Sequence, residues 1–158
     1  MNAPQLHEAA DLLYREAACL DERRWDDWIA LFTGDCEFWI PAWKNEDELT
    51  TDPSREISLV YHAGRTRLEE RVSRVRSGQS AASTPLPRTV HCLSNVQVTG
   101  EAVHANWQCH SYRFNETETL YGRYEYALTA VDGQWRIRRK KIVLVNDVIN
   151  TVLDFYSV

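Results

Sequence analysis

The stretch from Tyr121 to Asp147, YGRYEYALTAVDGQWRIRRKKIVLVND, decides the fold. Two long runs rich in β-branched and aromatic residues flank Asp132-Gly133. An Asp-Gly pair in that setting marks a hairpin, because a tight turn needs positive φ at its centre. Side chains alternate along a strand, so Leu120, Gly122, Tyr124, Tyr126, Leu128 and Ala130 share one face. Tyr121, Arg123, Glu125, Ala127 and Thr129 share the other. The chain upstream of this hairpin opens with helical patterns. Helices followed by a long antiparallel or mixed sheet give an α+β cone, with the N-terminal helices packed on a curved sheet.

Outward from the hairpin, Leu6, Ala10, Leu13, Ala17 and Leu20 recur at helical spacing, which predicts a first helix over 5–20. Asp21 is placed to cap a second helix, in which Trp25, Trp28, Ile29 and Phe32 form one apolar stripe. Thr33-Gly34 ends it. CEFWIPAW reads as a strand that Pro41 ends or confines to an edge. Residues 44–55 read as a polar loop and 56–61 as a short strand. Leu68, Val72 and Val75 mark a third helix that stops near Gly78. Residues 77–88, SGQSAASTPLPR, read as an extended connection, of a length that is functional or packed on a partner in so compact a domain. RTVHCLSNVQV and EAVHANWQCHSYRF then give two strands around a turn at Thr99-Gly100. The apolar tail VINTVLDFYSV is expected to be tied down on the sheet or on a neighbour.

Length and composition restrict the possibilities. The 158 residues suit one domain, 1–158. Six Trp, seven Tyr and four Phe fill a large core or an interface. A net charge of −5 with interspersed signs lacks the basic surplus of a nucleic-acid binder. The one dense basic run, Arg136 to Lys141, reads as a solvated strand face or a charge-protected edge strand, because a strand offers no helix N-terminus to hold a phosphate. The apolar runs are too short for a membrane helix, and the N-terminus lacks the pattern of a signal peptide. Cys19, Cys36, Cys92 and Cys109 are therefore read as reduced thiols, Asn115-Glu116-Thr117 as a chance glycosylation match, and the location as cytoplasmic.

The chemistry open to these residues is narrow. A Rieske cluster needs closely spaced Cys and His pairs, and Cys109-His110 and His91-Cys92 are adjacent instead. His104 and His110 share a strand face but stand about 20 Å apart along it, so they cannot hold one ion. A site built from His91 plus one of them stays open. There is no GxSxG elbow and no glycine-rich phosphate loop. General acid–base chemistry in a pocket between helices and sheet remains, with His91, His110, Asp35, Tyr14 and Tyr124 as candidates. Each has a plain structural role as the alternative: a satisfied imidazole, or a core tyrosine with a paired hydroxyl.

LDERRWDDWIALFTGDCEFWIPAW, DPSREISLVY, LEERVSRVRSGQSAASTPLPRTVHCLSNVQV, YGRYEYAL and WRIRRKKIVLVNDVINTVLDFY together cover nearly the whole chain. In order and number they resemble the small (β) subunit of bacterial aromatic-ring-hydroxylating dioxygenases, in the benzoate, anthranilate and 2-halobenzoate branch. The resemblance implies a cystatin-like cone, the fold of nuclear transport factor 2. It implies a large α subunit that carries the Rieske [2Fe–2S] cluster and a mononuclear Fe(II), an α3β3 hexamer, and a reductase that delivers electrons from NADH. It implies no catalytic, cofactor-binding or metal residue in this chain. The aromatic surplus, Arg136 to Lys141 and residues 77–88 are then expected at subunit contacts. The rival readings on the same cone are a stand-alone isomerase or dehydratase with a His/Asp/Tyr pocket, and a binding protein without chemistry.

Overall fold

The computed structural model describes residues 3–150 and 152–158, with the side chain of Ala82 left aside. Helices α1 (Leu6–Asp21) and α2 (Trp25–Ala30) lead into strand β1 (Phe32–Pro41). Strand β2 (Ser58–Ala63) and helix α3 (Arg65–Ser77) follow. The rest is β3 (Arg88–Thr99), β4 (Ala102–Arg113), β5 (Glu116–Val131) and β6 (Gln134–Leu144), with short 3-10 turns at Ala81–Ser83 and Phe155–Ser157. The six strands form one sheet in the order β2-β1-β6-β5-β4-β3. Only the β1–β6 pair is parallel, so the sheet is mixed. The helices cover one face of it, and the core lies between.

The decisive hairpin forms as read. Asp132 and Gly133 both take positive φ, 51° and 78°. Leu120, Tyr124, Tyr126 and Leu128 point into the core. Gly122 is required at its place: a Cβ there would lie 1.8 Å from the carbonyl oxygen of Val143. The Gly100 turn (φ 61°) and the left-handed Gly78 that caps α3 (φ 69°) also form. A further turn at Phe114-Asn115, both at positive φ, starts β5 at Glu116.

Several expectations are corrected. The basic run is not on an edge: β6 lies between β1 and β5. Nor is it wholly solvated, since Lys140 is fully buried. The cause is a bulge. Ala127 pairs with Arg139 and Leu128 with Ile137, so Arg138 is an extra residue. The bulge resets the alternation. Trp135 and Ile137 point inward before it; Lys140, Ile142 and Leu144 do so after it. The α1 stripe is also shifted. Its buried face is Ala9, Leu12, Leu13, Glu16, Cys19 and Leu20, while Leu6 is exposed. Asp21 ends α1 rather than capping α2, whose N-cap position is Arg24. Thr33-Gly34 lies inside β1, which begins at Phe32. Glu56 precedes β2 and staples the loop before it: its carboxylate accepts the backbone N–H groups of Thr51 (2.8 Å) and Asp52 (2.9 Å) and pairs with Lys44 (3.0 Å).

Most of the aromatic load fills the core rather than a contact. Phe155 stacks on Trp28 at 4.8 Å and meets Trp25 edge-on at 5.2 Å. That packing, the buried Tyr156 and Val158, and the Arg71–Asp154 ion pair tie the tail to its own chain. Tyr14, Tyr61, Tyr112, Phe114 and Tyr121 remain exposed.

Candidate functional site

The interior of the cone is where a pocket would open, and side chains occupy it. Glu16 projects from α1 and Lys140 from β6, and their ion pair spans 2.8 Å with both groups buried. The Glu16 carboxylate also accepts the indole N–H of Trp28 (3.0 Å) and the hydroxyl of Tyr126 (2.5 Å). Lys140 Nζ sits 4.4 Å from the centre of the Tyr124 ring and 5.7 Å from those of Tyr126 and Phe38. Burial pushes the ammonium down, and the Glu16 carboxylate opposes that shift. Burial, with Glu16 nearby, pushes the Tyr124 and Tyr126 hydroxyls well up. The charges are satisfied by one another and by an aromatic cage, and neither reaches solvent.

The five acid–base candidates do not converge. His91 is on the inner face of β3, held by Asp21 at 2.6 Å through Nδ1 and by the carbonyl oxygen of Val158 at 3.2 Å through Nε2. Tyr124 is buried and stacked on Trp107 at 5.3 Å. His110 lies on the opposite, outer face and shares hydrogen bonds with Thr119 (2.9 Å) and Gln108 (3.1 Å). Asp35 is exposed in β1 and accepts from the Thr33 hydroxyl at 2.8 Å. Tyr14 stands on the wet side of α1.

The metal site left open from His91 and a second histidine does not form. His91 pairs with Cys109 on the inner face, whereas His104 and His110 alternate with buried residues and face outward. Among the described residues no three His, Cys, Asp or Glu gather to hold an ion. Burial pushes the Cys109 thiol up to about 12 and the Cys36 thiol up to about 11, so neither is an activated nucleophile. A surface cleft of ≈ 190 Å³ between the β4–β5 turn and the tail is lined by Pro87, Arg113, Phe114, Glu118, Val152 and Tyr156, and contains none of the five candidates.

The sequence reading missed Glu16, Lys140 and Asp21. A signal existed for the first two. Glu16 is spaced i+4 from Leu12 and i−4 from Leu20, on the apolar face. Lys140 alternates with Ile142 and Leu144, which is inward phase. Asp21 carries no such signal, because its partner His91 is distant in sequence.

The comparisons agree with this geometry. The family model described as "Ring hydroxylating beta subunit" matches residues 15–151. The chain is 40% identical over 151 residues to the 2-halobenzoate 1,2-dioxygenase small subunit of Burkholderia cepacia, covering 92% of each. It is 40% identical over 160 residues to the anthranilate 1,2-dioxygenase small subunit of Acinetobacter baylyi, covering 98% of each. The crystal structure of the β subunit of the benzoate 1,2-dioxygenase from Burkholderia mallei superposes with a TM-score of 0.81 at 32% identity over 100% of both chains. A Nostoc punctiforme protein described as having a cystatin-like fold superposes at 0.60 with 14% identity over 93% of this chain and 97% of its own, a likeness of fold alone. The chain belongs to the family of ring-hydroxylating dioxygenase β subunits, on a cystatin-like α+β cone.

Proposed function

We propose that this chain is the structural small subunit of a Rieske non-haem iron dioxygenase that cis-dihydroxylates an aromatic carboxylate: benzoate, anthranilate or a 2-halobenzoate. The large subunit carries the [2Fe–2S] cluster and the mononuclear iron, three copies of each subunit assemble, and a reductase supplies electrons from NADH in the cytoplasm. No residue of this chain is catalytic or binds a cofactor or metal. The observation that supports this reading best is the filled interior. The place where a cone enzyme would keep a solvated acid–base pair holds the Glu16–Lys140 ion pair and the rings around it.

The test is co-expression with the cognate large subunit, followed by size-exclusion chromatography with iron and absorbance readouts. The expected result is one particle containing both chains, with all iron on the large one. Elution of this chain alone, with turnover of a small substrate by itself, would return the stand-alone enzyme.

A further inference from the structure

The outer face of β6 and the tip of the loop before β2 carry opposite charges, and neither set forms an ion pair among the described residues. On β6, Arg139 and Lys141 lie side by side over the ring of Trp39, with Cζ at 5.4 Å and Nζ at 5.3 Å from its centre. Trp39 faces outward yet is only 1% exposed, and its indole N–H donates to Ser58 at 2.8 Å. The cross-strand neighbours Glu37 and Glu125 form no ion pair with the two cations; Glu37 instead accepts from Tyr61 at 3.2 Å. The Nε of Arg139 is buried without any acceptor among the described residues.

Three adjacent carboxylates stand at Glu46, Asp47 and Glu48. All three are exposed, and none has a cation within ion-pair distance among the described residues. Their loop is fixed rather than floppy. Asn45 Oδ1 accepts the N–H groups of Asp47 and Glu48, both at 2.9 Å, and the Lys44 N–H donates to the Glu48 carbonyl at 2.8 Å. The Trp43 indole pins the loop base to the Leu144 carbonyl at 2.7 Å. Three carboxylates on a tip already ordered lose little freedom on docking. Within one molecule Lys44 is taken by Glu56, and among the described residues no other cation pairs with the tip.

We infer that the Glu46–Asp47–Glu48 tip of one copy docks on the Arg139–Lys141 surface of a second copy. Different patches of identical chains then meet head to tail, an arrangement that closes into a ring when the rotation permits. The exposed Leu59 (38%) and Tyr61 (39%) flank the cationic surface and supply the apolar contact around the charges. The contact rests on the multi-copy assembly proposed above, but its charges are all on this chain.

Charge reversal tests it in the complex with the large subunit and, in parallel, on this chain alone. One variant carries Asp47→Lys and Glu48→Lys, a second carries Lys141→Glu, and a third combines all three. Particle mass from light scattering is the readout, with urea denaturation to confirm that each variant folds. Each single reversal is expected to weaken association of this chain with itself by about tenfold or more, and the combination to restore it. A milder Arg139→Gln variant is expected to weaken association in the same direction. Unchanged particle mass in the single reversals, or a combination no better than either, would overturn the inference. Retained binding to the large subunit with those results would refute this contact alone; loss of that binding in the unmodified protein would refute the subunit reading.

Discussion

Glu16 and Lys140 show how far one buried pair shapes this protein. Removing one partner leaves an uncompensated charge among aromatic rings, which costs about 3–5 kcal/mol, whereas removing both together costs less than the two singles combined. Glu16→Gln, Lys140→Met and the double variant are therefore expected to show strong coupling in urea denaturation; strictly additive losses would contradict a functioning pair. Asp21 has a pH signature. Burial raises its carboxyl, but hydrogen bonds from the side chain and backbone of His91 outweigh that and hold it below the usual carboxylate value. A carboxyl lowered by folding contributes stability that is full above its unfolded value, about 3.9, and is lost as pH falls through the folded value. Asp21→Asn is expected to flatten the acid limb of the stability profile below about pH 4. Glu16 and Lys140 keep step with apolar neighbours in the sequence, but neither their pairing nor that of Asp21 with His91 was legible there, because a charge is rightly taken as solvated until its partner is known, and these partners lie 124 and 70 residues apart.

The strands were legible as elements, their phase less so. Period-two patterning and the Asp132-Gly133, Thr99-Gly100 and Gly78 signals placed β3 to β6 and the end of α3, because turns and caps are local chemistry. Lys140 keeps step with Ile142 and Leu144, but a single phase along the whole of β6 was not legible, because one extra residue at Arg138 inverts the side chains beyond it. The basic run then looks like an edge when it is an interior strand with one lysine inward. Gly122 gives the sharpest check on the register. Gly122→Ala forces a Cβ against the Val143 carbonyl and is expected to cost about 1–3 kcal/mol, or more if the strand cannot shift. Gly34→Ala, with open space around it, is the control and is expected to stay within about 0.5 kcal/mol of the parent. Equal melting temperatures for the two variants would mean that β5 and β6 are not paired as described.

At the scale of the whole molecule, the family was legible because it spreads over many weak motifs in a fixed order, and no single residue carries it. The five acid–base candidates could not be sorted in the sequence, since only the fold shows that His91 and Tyr124 point inward while His110 faces the other way. The filled cone supports a chain that contributes shape and contact surfaces to an oxygenase whose chemistry lies in another subunit. The most direct test is NADH-dependent turnover by the complex with the large subunit and reductase, comparing unmodified chain with Tyr14→Phe, Asp35→Asn and His110→Ala, normalised to assembled particle. The account predicts kcat and KM unchanged within about twofold for all three, and no turnover when this chain is assayed alone. A drop in kcat of about a hundredfold in any one of them, with assembly intact, would place chemistry on this chain and contradict the account.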